Sequence, residues 1–215
     1  MTNLSRQIAA DLLQIQAVFL RPEEPFTWAS GIQSPIYCDN RVTYAEPEVR
    51  RRIAEGYVQV IREKYPACEA VIGTSTSGIG YAALAAWLME LPTGYVRGGA
   101  KSHGRGNKIE GRVTPGQKVV VVEDTISTGG SVIEVVEILR EAGADVLGIV
   151  SIFTYEMQKG KDRLAEAQIE NTSLTDFGAL VEVAAQTGYL DPKAIAALKA
   201  FRDNPGDAGW LGMLG

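Results

Sequence analysis

Val119-Val-Val-Val122-Glu123-Asp124-Thr125-Ile126-Ser127-Thr128-Gly129-Gly130-Ser131 is the stretch of this 215-residue chain from which its fold can be read. Four β-branched residues in succession, without the polar alternation of a one-sided strand, predict a strand buried on both faces. Such a strand needs helices above and below it, and neighbours joined to it by crossovers. Two carboxylates end the run, and hydroxyls and glycines then open a helix.

Outward from that strand the same alternation continues. Downstream, a helix over Ser131–Ala142 and a buried strand over Val146–Phe153 are expected. Upstream, Ala70–Gly73 reads as a short apolar strand, followed by a turn of small residues, a helix over Tyr81–Glu90 and a strand over Thr93–Arg97. Strands alternating with helices predict an α/β protein, a three-layer α/β/α sandwich around a central, mainly parallel sheet. Before it, Leu4, Ile8, Leu12, Ile15 and Phe19 recur at helical spacing. Phe26–Asp39 reads as two short strands around a Ser30-Gly31 turn, and Pro47 opens a helix with Val49, Ile53, Tyr57, Val60 and Ile61 on its apolar face. The chain is expected to be one domain over 1–215, with a core over 67–172. An N-terminal region (1–66) and C-terminal helices (173–215) pack around that core.

Composition narrows the classes of function. The chain is 46% hydrophobic and 22% charged, as in an ordinary globular protein. Its net charge of −5 does not favour general binding to nucleic acid or anionic membranes. No apolar stretch is long enough to span a bilayer, and the first seven residues lack a basic region leading into an apolar core. Two cysteines, Cys38 and Cys68, without metal-ligand spacing, read as reduced thiols. The expectation is a cytoplasmic protein, bound neither to nucleic acid nor to membrane.

The end of the valine strand carries chemistry. A helix N-terminus offers unpaired N–H groups and a positive dipole, and glycines let the backbone approach a ligand, so phosphate is favoured there. Glu123 and Asp124 suit hydroxyls, a metal ion, or both, beside that phosphate. A ribose 5-phosphate meets these requirements. The plainer alternative, in which Asp124 and Ser131 only cap the helix, leaves one acid, the remaining hydroxyls and the glycines without a purpose. A second segment, Tyr95–Arg112, holds five Lys/Arg against one Glu between 97 and 112, together with the chain's single histidine and five glycines. It reads as a mobile basic loop. A third, Ile72-Gly-Thr-Ser-Thr-Ser-Gly78-Ile79, is a tight turn of small residues that matches neither a P-loop nor a dinucleotide fingerprint.

Glu123–Ser131 behind four valines resembles the phosphoribosyl diphosphate signature of the type I phosphoribosyltransferases. The resemblance implies that Glu123 and Asp124 contact the ribose hydroxyls, and that Thr125, Ile126, Ser127, Thr128, Gly129, Gly130 and Ser131 wrap the 5-phosphate. Arg97-x3-Lys101-x-His103-Gly104 resembles the catalytic loop of the orotate phosphoribosyltransferases, which implies that Arg97, Lys101 and His103 bind the diphosphate. Lys101, His103 and Asp124 are then the catalytic candidates, with Lys101 foremost in the transition state. Ile72–Ile79 is similar to the family's pyrophosphate loop, in which a non-proline cis peptide is common; the matching bond is Ser75–Thr76. Phe26–Arg41 resembles the family's small N-terminal hood, through Ser30-Gly31, Ser34-Pro35, Tyr37 and Asp39-Asn40-Arg41. Ser127 matches the position that contacts the base. The chain departs from some relatives at Ala29, Gln33, Gly98 and Ser102, which leaves open what holds orotate's carboxylate. Arg41 is one candidate, and a salt bridge within the hood is the alternative reading of it. The resemblance covers roughly 20–155.

These matches imply a Mg²⁺-dependent transfer of ribose 5-phosphate from phosphoribosyl diphosphate to orotate, giving orotidine 5′-monophosphate and pyrophosphate in pyrimidine synthesis. They also imply a homodimer in which the 97–112 loop completes the neighbouring subunit's site. A transferase for another base is disfavoured by the hood. A non-catalytic sensor of phosphoribosyl diphosphate that binds RNA or DNA would need a broad basic face.

Overall fold

The computed structural model describes residues 2–28, 31–98 and 108–214. In chain order the elements are α1 (Asn3–Gln14), β1 (Val18–Leu20), β2 (Phe26–Thr27), β3 (Gln33–Ser34) and β4 (Ile36–Cys38). A 3-10 helix (Asn40–Ala45) and α2 (Pro47–Lys64) follow. Then come β5 (Ala70–Thr74), α3 (Gly78–Met89), β6 (Thr93–Val96), β7 (Ile109–Glu110), β8 (Lys118–Ile126), α4 (Gly130–Glu141) and β9 (Asp145–Thr154). The chain continues with α5 (Gln158–Glu166), β10 (Asn171–Asp176), α6 (Phe177–Gln186), α7 (Pro192–Asp203) and a second 3-10 helix (Ala208–Met213).

The central sheet has the order β10-β9-β8-β5-β6-β7 and is parallel except for β7. The valine run explains the layering. Val120 and Val122 join Val71, Val150 and Ile152 against α1, α2, α3 and α6, while Val119 and Val121 join Ala70, Ile72 and Ile149 against α4. All four valines are fully buried, as the sequence requires. Fully burying one such side chain contributes on the order of 1.5–3 kcal/mol.

Sheet order fixes where a ligand can sit. From β5 the chain crosses to β6 on one side, and from β8 it crosses to β9 and β10 on the other. The switch point therefore lies between β5 and β8, where connections leave in opposite directions and open a crevice at the carboxyl ends.

Several boundaries differ from the sequence expectation. α1 stops at Gln14, because Gln16 takes a left-handed φ of 58° and Ala17 N–H returns to Leu12 C=O at 2.9 Å. Phe19 consequently belongs to β1, paired with Tyr37, rather than to the helix. The 97–112 segment is not loop throughout, since Ile109 and Glu110 form β7 opposite Val96 and Tyr95. α3 starts at Gly78, three residues before the apolar periodicity suggested, and the edge strand β10 carries the sheet to Asp176.

The hood is two antiparallel pairs, β1 with β4 and β2 with β3. It is seated on aromatic residues from distant sequence. Trp28 meets Tyr155 and Phe201 edge-on, each at 5.8 Å between ring centroids, and Phe201 meets Trp210 at 6.0 Å. The C-terminal helix α7 thus supports the hood.

Candidate active site

The loops after β5 and β8 emerge side by side at the switch point. β8 carries the valines into the core and then turns its last residues outward: Glu123 is buried, Asp124 and Thr125 are half-buried, and Ser127 and Thr128 lie half-buried in the turn beyond. α4 begins after Gly129, whose φ of 73° suits glycine, and no side chain caps its first turn. The capping reading of Asp124 and Ser131 therefore does not hold, and the first-turn N–H groups are available to an anion. Gly130 and Ser131 are exposed there, while Ile126 packs into the core.

The two adjacent acids occupy different environments. Glu123 Oε1 accepts from Thr74 Oγ1 and from Asp124 N–H, both at 2.8 Å. Burial, reinforced by the Asp124 carboxylate beside it, pushes the Glu123 carboxyl up to about 8. Burial thus favours the protonated form of Glu123, which braces the turn from behind, while Asp124 is the more accessible acid.

Across the crevice, the Thr74–Ser77 turn includes a cis peptide at Ser75–Thr76, as the family resemblance implies. Gly78 is required at the start of α3, because a Cβ there would lie 2.4 Å from Val122 C=O. Ser75 Oγ accepts from Gly98 N–H at 2.8 Å, which ties the end of β6 to this turn. Arg97 follows β6, its N–H donating to Lys108 C=O at 2.8 Å and its Nε lying 3.2 Å from Glu110 Oε1. Lys101 and His103 lie outside the described residues, as does Ser30 of the hood.

The hood closes the third side. Ser34 Oγ donates to Ile36 C=O at 2.7 Å and shapes the β3–β4 bend, and Tyr37 stacks obliquely on Phe26 at 5.4 Å. Arg41 is held by Asp39 through Nε at 2.6 Å and Nη2 at 2.8 Å, the hood salt bridge that was its alternative reading. Sequence reasoning placed Asn40 and Arg41 in the hood motif and named Arg41 as a carboxylate candidate, but did not tie the 3-10 helix Asn40–Ala45 to either phosphate-facing turn. Yet Asn40 Nδ2 donates to Asp124 C=O at 3.0 Å and to Thr125 Oγ1 at 2.8 Å, and Tyr44 OH donates to Ser77 C=O. It also gave no role to Tyr57, whose OH donates to Glu123 C=O at 2.5 Å, or to Gly160, which packs against Ser127. The periodicity that placed Tyr57 on an apolar face could not reveal the hydroxyl's partner 66 residues away.

The arrangement can hold a phosphorylated sugar: an uncapped helix N-terminus for the phosphate, a carboxylate for hydroxyls, and a second turn one strand away. Among the described residues there is no group of three or more His, Cys, Asp or Glu side chains that could cage a metal ion. Asp124, half-buried at the crevice, is an oxygen donor of the kind a hard cation takes. No helix among the described residues is long and apolar enough to cross a membrane.

Known proteins share this architecture. The phosphoribosyl transferase domain family matches residues 44–186. An orotate phosphoribosyltransferase of Bacillus cereus (strain G9842) is 53% identical over 208 residues, covering 97% of this chain and 99% of that protein. The crystal structure of orotate phosphoribosyltransferase from Aeropyrum pernix superposes with a TM-score of 0.74 at 28% identity, covering 86% of this chain and 99% of that one. The structure of Leishmania donovani UMP synthase matches with a TM-score of 0.77 at 27% identity, covering 92% of this chain but 42% of that longer one. The similarity extends well beyond residues 20–155 and includes the C-terminal region that supports the hood. With the switch-point crevice, the phosphate turn and near-full-length identity in agreement, the chain belongs to the orotate phosphoribosyltransferase family, transferases of pyrimidine biosynthesis.

Proposed function

We propose that the crevice between β5 and β8 binds phosphoribosyl diphosphate and transfers its ribose 5-phosphate to orotate. Asp124 faces the ribose hydroxyls with Glu123 behind it, and Thr125–Ser131 wrap the 5-phosphate at the start of α4. The Thr74–Ser77 turn faces the pyrophosphate, and Ser127 with the hood strand Ile36–Cys38 faces the base. The observation that carries this reading is the uncapped start of α4 immediately beyond a half-buried carboxylate, at the sheet's switch point.

The reaction breaks the C1–pyrophosphate bond and forms a bond from C1 to the base nitrogen. Negative charge grows on the leaving group while the ribose becomes oxocarbenium-like. Arg97, Lys101 and His103 are assigned to the leaving group, whose growing negative charge their cationic side chains would stabilise. Mg²⁺, when bound, would neutralise charge on the diphosphate, next to the ribose hydroxyls that Asp124 faces.

A homodimer follows from the same reading, with segment 97–112 completing the partner's site. One face of α3 supports it. The helix is apolar nearly throughout, yet Trp87 is 77% exposed and Leu88 38% exposed near its C-terminal end. A cytoplasmic location agrees with two free thiols and with the biosynthetic role. Loss of orotate absorbance, followed with and without phosphoribosyl diphosphate and Mg²⁺, tests the assignment. Consumption with both present and none without phosphoribosyl diphosphate is expected; turnover of adenine instead would overturn it.

A further inference from the structure

The 3-10 helix Asn40–Ala45 joins the base-side hood to both phosphate-facing turns, and one side chain in it does more than pack. Asn40 is 1% exposed. Its Nδ2 spends both protons on the end of β8, at Asp124 C=O and Thr125 Oγ1. Because a carbonyl can only accept, this pairing fixes the amide orientation and leaves Oδ1 buried without a partner among the described residues. An unpaired buried acceptor is unfavourable, so stability alone does not account for an amide here. What the amide supplies is a rigid two-pronged grip on the two residues that end the strand.

The rest of the helix keeps that grip stiff. Thr43 Oγ1 lies 2.6 Å from Tyr81 OH and donates to Asn40 C=O at 2.5 Å, while Arg50 Nη1 holds Tyr44 C=O at 2.5 Å. Tyr44 stacks on Tyr81 at 4.8 Å and reaches Ser77 C=O.

We infer that Asn40 is a positioning residue for the transfer reaction: it sets the Asp124 backbone and the Thr125 hydroxyl so that the strand end meets the ribose phosphate in reactive geometry. The inference rests on the reading of Asp124 and Thr125 as phosphoribosyl-binding residues. Small misplacements of such groups cost rate out of proportion to stability.

The test compares steady-state kinetics and thermal melting of the full chain for Asn40→Ala and Ser5→Ala. Both remove buried hydrogen bonding, but Ser5 donates to Thr175 Oγ1 on β10 and is not part of the grip, so only the first releases the strand end. Asn40→Ala is expected to lower kcat/KM for phosphoribosyl diphosphate about ten- to hundredfold. Ser5→Ala should melt at a reduced temperature and keep kcat/KM within about threefold of wild type, since it leaves the grip in place. If Asn40→Ala does not fold, Asn40→Ser, which supplies one donor in place of two, should still lose about threefold or more. Wild-type kcat/KM in whichever Asn40 variant folds, or equal losses at Asn40 and Ser5 that track melting temperature, would overturn the positioning role. Asp124→Asn, run beside them, separates two failures. Inactivity there with a fully active Asn40 variant overturns only the present inference, whereas full activity in both overturns the ribose site as well.

Discussion

Glu123 and Asp124 are chemically similar neighbours with different surroundings. Glu123 follows the valines inward to Thr74, and its carboxyl is pushed up to about 8 by burial and by Asp124, whereas Asp124 sits at the crevice. This has a consequence for stability. Below the ordinary carboxyl value of 4.5 both folded and unfolded chains hold the proton, and the group is neutral to stability. Between 4.5 and about 8 only the folded chain holds it, so stability falls as pH rises, with the full loss reached above that range. Glutamine keeps the carbonyl acceptor for Thr74 and for the Asp124 N–H but cannot ionise. Glu123→Gln should therefore flatten the decline and be more stable than wild type near the alkaline end of that range. Denaturant unfolding at several pH values checks this; parallel curves for the two proteins would contradict it.

At the scale of elements, the phosphate turn is shaped by a helix that does not belong to it. α5 lies against the turn so closely that a Cβ on Gly160 would stand 2.5 Å from Ser127 C=O. Backbone cannot yield as a flexible side chain does, so Gly160→Ala must shift either α5 or the turn. A loss of about tenfold or more in kcat/KM is expected, with the overall fold retained by circular dichroism. A wild-type rate would mean that α5 alone moves. The segment between β6 and β7 calls for a different signature. Lys101 meets charge that develops mainly as the pyrophosphate leaves, so Lys101→Ala should lower kcat by about a hundredfold and raise KM little. A change confined to KM would make Lys101 a ground-state binding residue.

The whole molecule is proposed to work as a pair, and this is testable without a structure of the pair. If Lys101 of one subunit serves the site built around Asp124 of the other, Lys101→Ala and Asp124→Asn should complement each other. In a mixed dimer one site then carries both lesions and the other neither. With random reassortment about half the dimers are hybrid, each with one sound site, so activity should recover to roughly a quarter of wild type. Tagged co-expression supplies the hybrids, and hybrids as inactive as the parents would place Lys101 over its own subunit's site.

The sequence by itself determined the sheet and the phosphate turn. Four consecutive valines leave no polar face, so Val119–Val122 had to be covered on both sides; the order of acids, hydroxyls and glycines after them is local chemistry that needs no distant partner. The similarity of Arg97–Gly104 and Phe26–Arg41 to a family supplied the expectation of orotate. Tertiary structure decided what depends on contacts between residues far apart in the chain. Periodicity carried α1 to Phe19, but a left-handed Gln16 and pairing with Tyr37 turned that residue into a strand. A two-residue strand such as Ile109–Glu110 has no period to detect and exists only because Tyr95 and Val96 present an open edge. The unequal roles of Glu123 and Asp124 depend on Thr74, and the place of Asn40 depends on a strand end 84 residues away. A hydrogen bond across that separation leaves no mark in composition or spacing, because it is made only when the folded layers bring donor and acceptor together.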